Sequence, residues 1–228
     1  MLKVVIVGAN GKVGRLLLNK IISASPTHFD KPLAIVRTKD QVDYFTEQFQ
    51  DKINVSLTSI EDSTVDDIAK KISGYDAVVF TAGAGGKGVE RIFTVDLDGC
   101  CKTIEACGKA GVQRFILVSA IHAEDREKWY HTALRNYYIA KRAAEHELKW
   151  SNLDYTILQP GSLGLEKGTG KLCPAIDIES KKDSYYQIQR EDLATFIVAS
   201  LLNPSKTIRK TIPLANGDEP ISEFIDKL

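Results

Sequence analysis

The chain has 228 residues, of which 43% are hydrophobic, and this is enough to build an α/β domain around a continuous core. Thirty basic residues balance thirty acidic ones, so the net charge favours neither a nucleic-acid nor a membrane-surface partner. No apolar run reaches the roughly 20 residues that span a bilayer, and the N-terminal run is too short for a signal peptide. We therefore expect a cytoplasmic protein.

The first element joins a buried strand, a glycine-rich turn and a helix. An apolar run over residues 4–7 precedes the spacing Gly8-x-x-Gly11-x-x-Gly14, and an amphipathic segment follows it. Glycine lets the backbone turn sharply and approach a pyrophosphate, while the free N–H groups at a helix start face the anion. In this context the motif predicts dinucleotide binding, and a purely structural strand-to-helix turn is the alternative.

Strands and helices alternate through most of the remaining chain. Apolar runs and helical periodicity predict strands at 33–36, 53–57, 77–80, 114–119 and 153–158, and helices at 40–50, 64–72, 90–110 and 134–150. This alternation is typical of a doubly wound, mainly parallel Rossmann sheet with helices on both faces. Residues 81–86, small and glycine-rich at a strand end, leave room for a ligand there, although a ligand-free flexible loop is the alternative.

Beyond residue 165 the alternation becomes less regular. Helices are predicted at 192–202 and 221–228, with a strand at 211–214, and together they form a small C-terminal extension. No linker or repeat divides the chain. We expect a single domain over residues 1–228, whose substrate side is built mainly from residues 120–133 and 160–228.

Metal and disulfide chemistry is not expected. The four cysteines, Cys100, Cys101, Cys107 and Cys173, form no C-x-x-C pair, which favours buried thiols over zinc binding or disulfides. The four histidines are scattered without metal-ligand spacing. His122, shortly after the fifth predicted strand, is the one placed to reach a substrate, and His146 is expected at the surface.

Several ordered motifs together resemble a known superfamily. They are residues 8–14 (GANGKVG), 81–84 (TAGA), 95–99 (VDLDG), 114–119 (RFILVS), 137–141 (YYIAK) and 153–161 (LDYTILQPG). In this order they resemble the atypical short-chain dehydrogenase/reductase superfamily, particularly its small NAD(P)H-binding branch with a Rossmann fold. The resemblance covers nearly the whole chain and implies an NAD(P)-dependent redox protein.

The resemblance also implies which residues contact the cofactor. The glycine loop would hold the pyrophosphate, a second loop would lie against the adenosine side, and a third would line the nicotinamide end. In that order these residues are Gly8, Asn10, Gly11, Lys12, Val13 and Gly14, then Ala82, Gly83 and Ala84, then Pro160, Gly161 and Leu163. Ile60 would pack against adenine, although Ser59 replaces the acid usual in the family.

Arg37 ends the second predicted strand, where NAD-selective sites place a carboxylate for the ribose 2′-hydroxyl. A planar guanidinium there suits a 2′-phosphate instead. We therefore predict NADP(H) in preference to NAD(H). The alternative is that Arg37 is a solvated charge at a strand end.

Tyr137 and Lys141 are four residues apart on a predicted helix, so their side chains share one face. With Ser119 they match the set that, in the wider superfamily, transfers a proton while nicotinamide exchanges hydride. Ser119 would orient the substrate carbonyl, and Lys141 would also hold the nicotinamide ribose. We expect the Lys141 ammonium to lower the pKa of the phenol toward neutrality. Tyr130 and Tyr138 are the rival phenols.

Nearby charged residues are expected to have structural roles. Glu145 and Glu147 fit ordinary charges on a helix surface, and Arg190 with Asp192 fits an ion pair at a helix start.

Two functions remain open. The first is an NADP(H)-dependent reductase that passes hydride between nicotinamide and a small carbonyl, quinone or flavin-like acceptor. The second is a non-catalytic NADP(H)-binding sensor or scaffold. We expect a monomer or a homodimer.

Overall fold

The computed structural model describes residues 1–86 and 88–228, which fold into alternating strands and helices. The strands are β1 (Val4–Val7), β2 (Leu33–Val36), β3 (Asn54–Leu57), β4 (Ala77–Phe80), β5 (Arg114–Val118), β6 (Asp154–Pro160), β7 (Leu163–Gly164), β8 (Lys171–Leu172), β9 (Ile188–Gln189), β10 (Lys210–Leu214) and β11 (Glu219–Pro220). The helices are α1 (Lys12–Ala24), α2 (Lys39–Phe49), α3 (Val65–Ile72), α4 (Val89–Arg91), α5 (Cys100–Ala110), α6 (Arg126–Trp129), α7 (Arg135–Trp150), α8 (Arg190–Leu202), α9 (Pro204–Thr207) and α10 (Ile221–Asp226).

Within the described residues, seven strands form one parallel sheet in the order β10-β6-β5-β4-β1-β2-β3. The strand order reverses between β1 and β4, which leaves a crevice at their carboxyl ends. The doubly wound Rossmann fold predicted from the alternation is confirmed, with the bounds of the sheet strands shifted by two residues at most.

Alternate residues of β1 face two separate cores because side chains point to opposite faces of a strand. Val4 and Ile6 join the core that contains residues of α1 and α8, whereas Val5 and Val7 join the core beneath α3 and α5. Helices therefore cover both faces, which explains why the central strands are continuously apolar.

The long helix predicted over 90–110 contains an irregular part. A π-helix over Ile92–Gly99 connects α4 to α5. Gly99 allows this winding, because a Cβ at Gly99 would lie 2.9 Å from Cδ1 of Ile60 and 3.0 Å from the carbonyl oxygen of Thr94.

The C-terminal extension has more structure than the sequence predicts. Strand β7 pairs with β9, β8 pairs with β11, and a 3-10 helix spans Ala175–Ser184. The predicted ion pair between Arg190 and Asp192 is wrong. The Arg190 guanidinium donates to the carbonyl oxygens of Leu163 (2.5 Å) and Gly164 (2.8 Å), and Asp192 accepts from backbone N–H groups of the glycine-rich loop after β7.

The four cysteines are free, and Cys100, Cys107 and Cys173 are buried, as the sequence predicts. Cys101 is only partly buried, and burial raises the pKa of its thiol to about 11. Among the described residues, no helix has both the length and the apolar character needed to cross a membrane.

Candidate functional site

A cleft of about 580 Å³ lies at the carboxyl ends of β1, β2 and β4, where the strand order reverses. Most of the residues predicted to contact a nucleotide line it, namely Gly8, Asn10, Gly11, Lys12, Val13, Arg37, Ile60, Ala82, Gly83, Ala84 and Leu163. Most of the residues predicted to contact the cofactor therefore lie together, and their contact with a nucleotide stays a prediction. Its lining does not include Gly14, Ser119, Tyr137, Lys141, Pro160 or Gly161, all of which lie within the described residues.

The glycine turn has no room for side chains. A Cβ at Gly8, whose φ is +83°, would lie 2.5 Å from the backbone nitrogen of Ala82. A Cβ at Gly14 would lie 2.5 Å from the carbonyl oxygen of Gly8. The glycines thus bring the turn after β1, the first turn of α1 and the loop after β4 into close contact.

The N-terminus of α1 suits an anion. Its cap residue, Gly11, has no side chain to accept hydrogen bonds, and the first turn contains no acidic residue. The first helical bond runs from the Arg15 N–H to the Gly11 carbonyl, so the N–H groups of residues 12–14 precede the helical hydrogen-bond ladder. These donors and the helix dipole fit the pyrophosphate of a dinucleotide.

Two arginines and one glutamate meet at the end of β2. Oε2 of Glu61 accepts from a guanidinium nitrogen of Arg37 (3.3 Å) and from one of Arg91 (2.9 Å). The hydroxyl of Thr94 donates to the other carboxylate oxygen at 2.9 Å, and the ammonium of Lys102 donates to the Glu61 carbonyl at 3.1 Å. Arg37 is therefore paired and not simply solvated.

A buried ion pair connects the loop after β4 to α7. The Asp96 carboxylate lies 3.0 Å from the Lys141 ammonium, and these side chains are 0% and 4% exposed. The other Asp96 oxygen accepts from the Ala84 N–H at 2.8 Å. Lys141 also donates to the Val118 carbonyl at 3.1 Å, next to Ser119. Lys141 thus joins the end of β5 to the π-helix.

Tyr137 lies beside Lys141, as their spacing predicts, with the ammonium 5.6 Å from the centre of the phenol ring. The expected lowering of the phenol pKa is wrong. Burial raises the pKa of Tyr137 and outweighs the opposing effect of Lys141. Burial alone would lower the pKa of Lys141, but Tyr137 and Asp96 outweigh it, so the Lys141 pKa is raised. This arrangement favours a neutral phenol next to a charged ammonium.

Ser119 is buried, and its hydroxyl lies beside the Glu145 carboxylate, where it opposes the rise in the Glu145 pKa that burial causes. The residues that directly follow β6 are tightly covered by the segment around Tyr186. A Cβ at Gly161 would lie 2.1 Å from the Tyr186 carbonyl oxygen, and the Ser162 N–H donates to the Tyr185 carbonyl at 3.0 Å. The segment after the 3-10 helix therefore packs directly on the predicted nicotinamide end.

Glu145 is not a surface charge, and that prediction is wrong. Its residue is 2% exposed, and the Gln159 side-chain amide donates to its two carboxylate oxygens at 3.0 and 3.1 Å. Burial raises the pKa of Glu145. The sequence around Glu145 is polar, and this pattern predicts a surface position. The prediction fails because Gln159 of β6, which is distant in the sequence, provides a buried hydrogen-bond partner. His146 and Glu147 are exposed as expected.

His122, in the loop after β5, is held in place by residues of the C-terminal extension. Its Nε2 lies 3.0 Å from Oε1 of Glu179, and its ring meets the Tyr186 ring edge to face. Glu179 also pairs with Lys128 at 3.1 Å. These contacts fasten the 3-10 helix to the loop after β5.

Four charged residues of the site were not predicted as functional residues, among them Arg190, which lines the cleft. Glu61 directly follows Ile60, Asp96 lies within the 95–99 motif, and Arg91 immediately precedes the π-helix. The only signal in the sequence for Asp96 was its place in the 95–99 motif, because its burial is visible only in the structure. Arg91 carried no local signal, because its partner is 30 residues away in the sequence.

Together, the reversal of strand order, the glycine turn and the uncapped helix start define a Rossmann-type nucleotide-binding protein of the atypical short-chain dehydrogenase/reductase kind. The sequence profile described as NAD(P)H-binding matches residues 8–204, and the chain belongs to that family.

Similar proteins extend over the whole chain. The UPF0659 protein YMR090W of Saccharomyces cerevisiae is 58% identical over 228 residues, which cover 100% of this chain and 99% of the relative. A solved structure, a putative NAD-dependent epimerase/dehydratase from Bacillus halodurans, is 32% identical with a TM-score of 0.84 and covers 100% of both chains. Another, the oxidoreductase ylbE from Lactococcus lactis, is 32% identical with a TM-score of 0.81, and the match covers 100% of this chain and 96% of that one.

Proposed function

We propose that the protein is an NADP(H)-dependent oxidoreductase that transfers hydride between nicotinamide and a small carbonyl, quinone or flavin-like acceptor. The observation that carries the NADP(H) preference is the guanidinium of Arg37, which lines the cleft at the end of β2 beside the uncapped start of α1. A cation at this position favours a 2′-phosphate over a 2′-hydroxyl. The relationship to ylbE, named an oxidoreductase, supports the reaction class.

When bound, the nicotinamide supplies or accepts the hydride. In the reducing direction, Tyr137 would donate a proton to the acceptor oxygen, since its raised pKa keeps the phenol protonated near neutral pH. The buried hydroxyl of Ser119, next to Glu145, would orient that oxygen. Lys141, fixed by Asp96 and by the Val118 carbonyl, would hold the cofactor end of the site in position.

The direct test is titration of nucleotide-free protein with NADPH and NADH, comparing the original protein with Arg37→Glu. We expect the original protein to prefer NADPH and the variant to lose that preference. Lys39→Glu is the matched control, because Lys39 is exposed, pairs with Asp43 and is outside the cleft lining. Equal affinity for NADPH and NADH in the original protein would contradict the cofactor proposal, and no binding of either would contradict the whole function.

A non-catalytic NADP(H) sensor or scaffold is the second candidate. It is favoured by the Asp96–Lys141 pair, which compensates the ammonium charge that would otherwise activate Tyr137. Multiple turnover of NADPH with a carbonyl, quinone or flavin acceptor would reject the sensor. Undiminished turnover in both Tyr137→Phe and Ser119→Ala would instead contradict the proton-transfer roles and leave the oxidoreductase standing.

A further inference from the structure

The end of the cleft beside β2 contains two cations and one anion within direct contact. Arg37 and Arg91 both donate to the same oxygen of Glu61, at 3.3 and 2.9 Å. All three residues line the cleft, together with Ser59 and Gln41. Arg37 comes from the end of β2, Glu61 follows β3, and Arg91 ends α4, so three separate chain segments converge on this point.

The charges at this point do not balance. The single carboxylate of Glu61 neutralises one of the two guanidiniums, and the next ammonium along the helix, that of Lys102, already pairs with Asp98 at 3.0 Å. One positive charge is therefore left over between Arg37 and Arg91. A phosphate monoester carries about −1.5 to −2 charges near neutral pH, which matches a pair of guanidiniums better than a single one.

Unused donors remain on the arginines. Each guanidinium has five N–H donors, and Glu61 engages one nitrogen of each. The Nε of Arg91 is buried and has no hydrogen-bond partner within residues 1–86 and 88–228. The Arg91 side chain is 22% exposed, and its contact with Glu61 holds it in place before any ligand arrives.

Glu61 is poorly suited to accept a ribose hydroxyl, the role of a carboxylate in an NAD-selective site. Its Oε2 already accepts from two guanidiniums, and its Oε1 accepts from the Thr94 hydroxyl. Glu61 instead holds the guanidiniums of Arg37 and Arg91 close together.

We propose that Arg91 is the second cation of a 2′-phosphate subsite shared with Arg37, and that Glu61 holds the two guanidiniums close together but chiefly competes with the phosphate for them. The inference rests on the proposed NADP(H) function and extends it to residues that do not belong to β2. Arg91 determines specificity, and Glu61 sets how tightly the phosphate is held.

The test uses two nucleotides that differ only in the 2′-phosphate, adenosine 2′,5′-bisphosphate and adenosine 5′-monophosphate. Their binding is measured by calorimetry for the original protein, Arg91→Gln, Arg91→Lys and Glu61→Gln. For the bisphosphate we expect about a tenfold loss of affinity in Arg91→Gln, a smaller loss in Arg91→Lys, and a several-fold gain in Glu61→Gln, since each charge-assisted contact contributes on this order. Affinity for the monophosphate should stay within about twofold, because the changed groups contact only the 2′ position.

Glu90→Gln is the matched control, because Glu90 is an exposed neighbour on α4 and does not line the cleft. Thermal melting of every variant separates loss of folding from loss of binding. Unchanged bisphosphate affinity in a folded Arg91→Gln, or weaker bisphosphate binding in Glu61→Gln, would overturn the inference. If the original protein binds NADPH more tightly than NADH while Arg91→Gln has no effect, the proposed function stands and only this inference fails. If the original protein binds neither dinucleotide, both fail.

Discussion

The two ends of the site handle charge in opposite ways. At the end beside β2, the side chains of Arg37, Glu61 and Arg91 are 39%, 22% and 22% exposed, and water screens their interactions. At the other end, Asp96 and Lys141 form a pair that is almost completely removed from water. A charge that water screens contributes little to the free energy of unfolding and can bind a ligand at little cost in stability. A buried charge must keep its partner or destabilise the fold.

The largest expected effect is that of Lys141→Met. It leaves the Asp96 carboxylate buried without its partner, and we expect a loss of about 3 to 5 kcal/mol in the free energy of unfolding. Arg37→Gln, the equivalent change at the exposed end, should cost at most about 1 kcal/mol. Urea unfolding of the two variants measures the contrast directly.

The double variant Asp96→Asn with Lys141→Met serves as the control for that contrast. Removing both charges should restore much of the lost stability, because no uncompensated charge stays buried. Equal losses in Lys141→Met and Arg37→Gln would refute the distinction between the two ends.

Gly14→Ala tests a third part of the site, the glycine turn, where the close approach of the backbone and not charge determines stability. The added Cβ would lie 2.5 Å from the Gly8 carbonyl oxygen and 2.8 Å from Cα of Ala9, so we expect a loss of about 1 to 3 kcal/mol by overpacking. Gly108→Ala in α5 is the matched change, since nothing lies within 4 Å of its Cβ position, and it should be neutral or stabilising. Thermal unfolding of both variants compares them, and a Gly14→Ala protein as stable as the original would contradict the close packing.

Glu145→Gln tests the cost of a buried charge by comparing the free energy of unfolding at two pH values. Burial raises the folded pKa of Glu145 above its ordinary value of 4.5, so the folded state retains a proton that the unfolded chain has already released. Stability from this group is fully present below pH 4.5 and is lost as the pH rises through the folded pKa. Glutamine has no charge to bury, so the variant should be more stable than the original protein at pH 7.

The advantage of Glu145→Gln should shrink as the pH falls toward about 4, where the original carboxyl is protonated in both states. Chemical unfolding at the two pH values gives the difference. A variant that is less stable at pH 7 would mean that the hydrogen bonds from Gln159 outweigh the cost of burying the charge.

Ser119→Ala should have the smallest effect on folding. Its hydroxyl lies beside the Glu145 carboxylate without a well-formed hydrogen bond, so we expect the free energy of unfolding to change by no more than about 1 kcal/mol. Acceptor turnover, in contrast, should fall if this hydroxyl orients the substrate oxygen. A large loss of stability would assign Ser119 a structural role at the end of β5.

The sequence predicts the sheet and the glycine cleft well because both depend on local patterns. Apolar runs such as Val4–Val7 and the spacing of Gly8, Gly11 and Gly14 are readable without knowing any distant contact. Glu145 was placed on the surface because its partner, Gln159, is supplied by a different element. The raised pKa of Tyr137 was likewise unpredictable, since burial depends on how the whole chain packs around α7.

The π-helix between α4 and α5 makes the site depend on how many residues separate Arg91 from Asp96. Arg91 and Asp96 are five residues apart, and in an α-helix five residues rotate a side chain by about 140°. A π-helix bonds residues five apart and so brings them toward the same side. This winding is consistent with Arg91 contacting the segment after β3 while Asp96 contacts the loop after β4. Deleting one of the four residues between Arg91 and Asp96 would rotate these two side chains relative to each other and turn one of them away from its partner. The number of residues between Arg91 and Asp96 is therefore constrained independently of which residues they are.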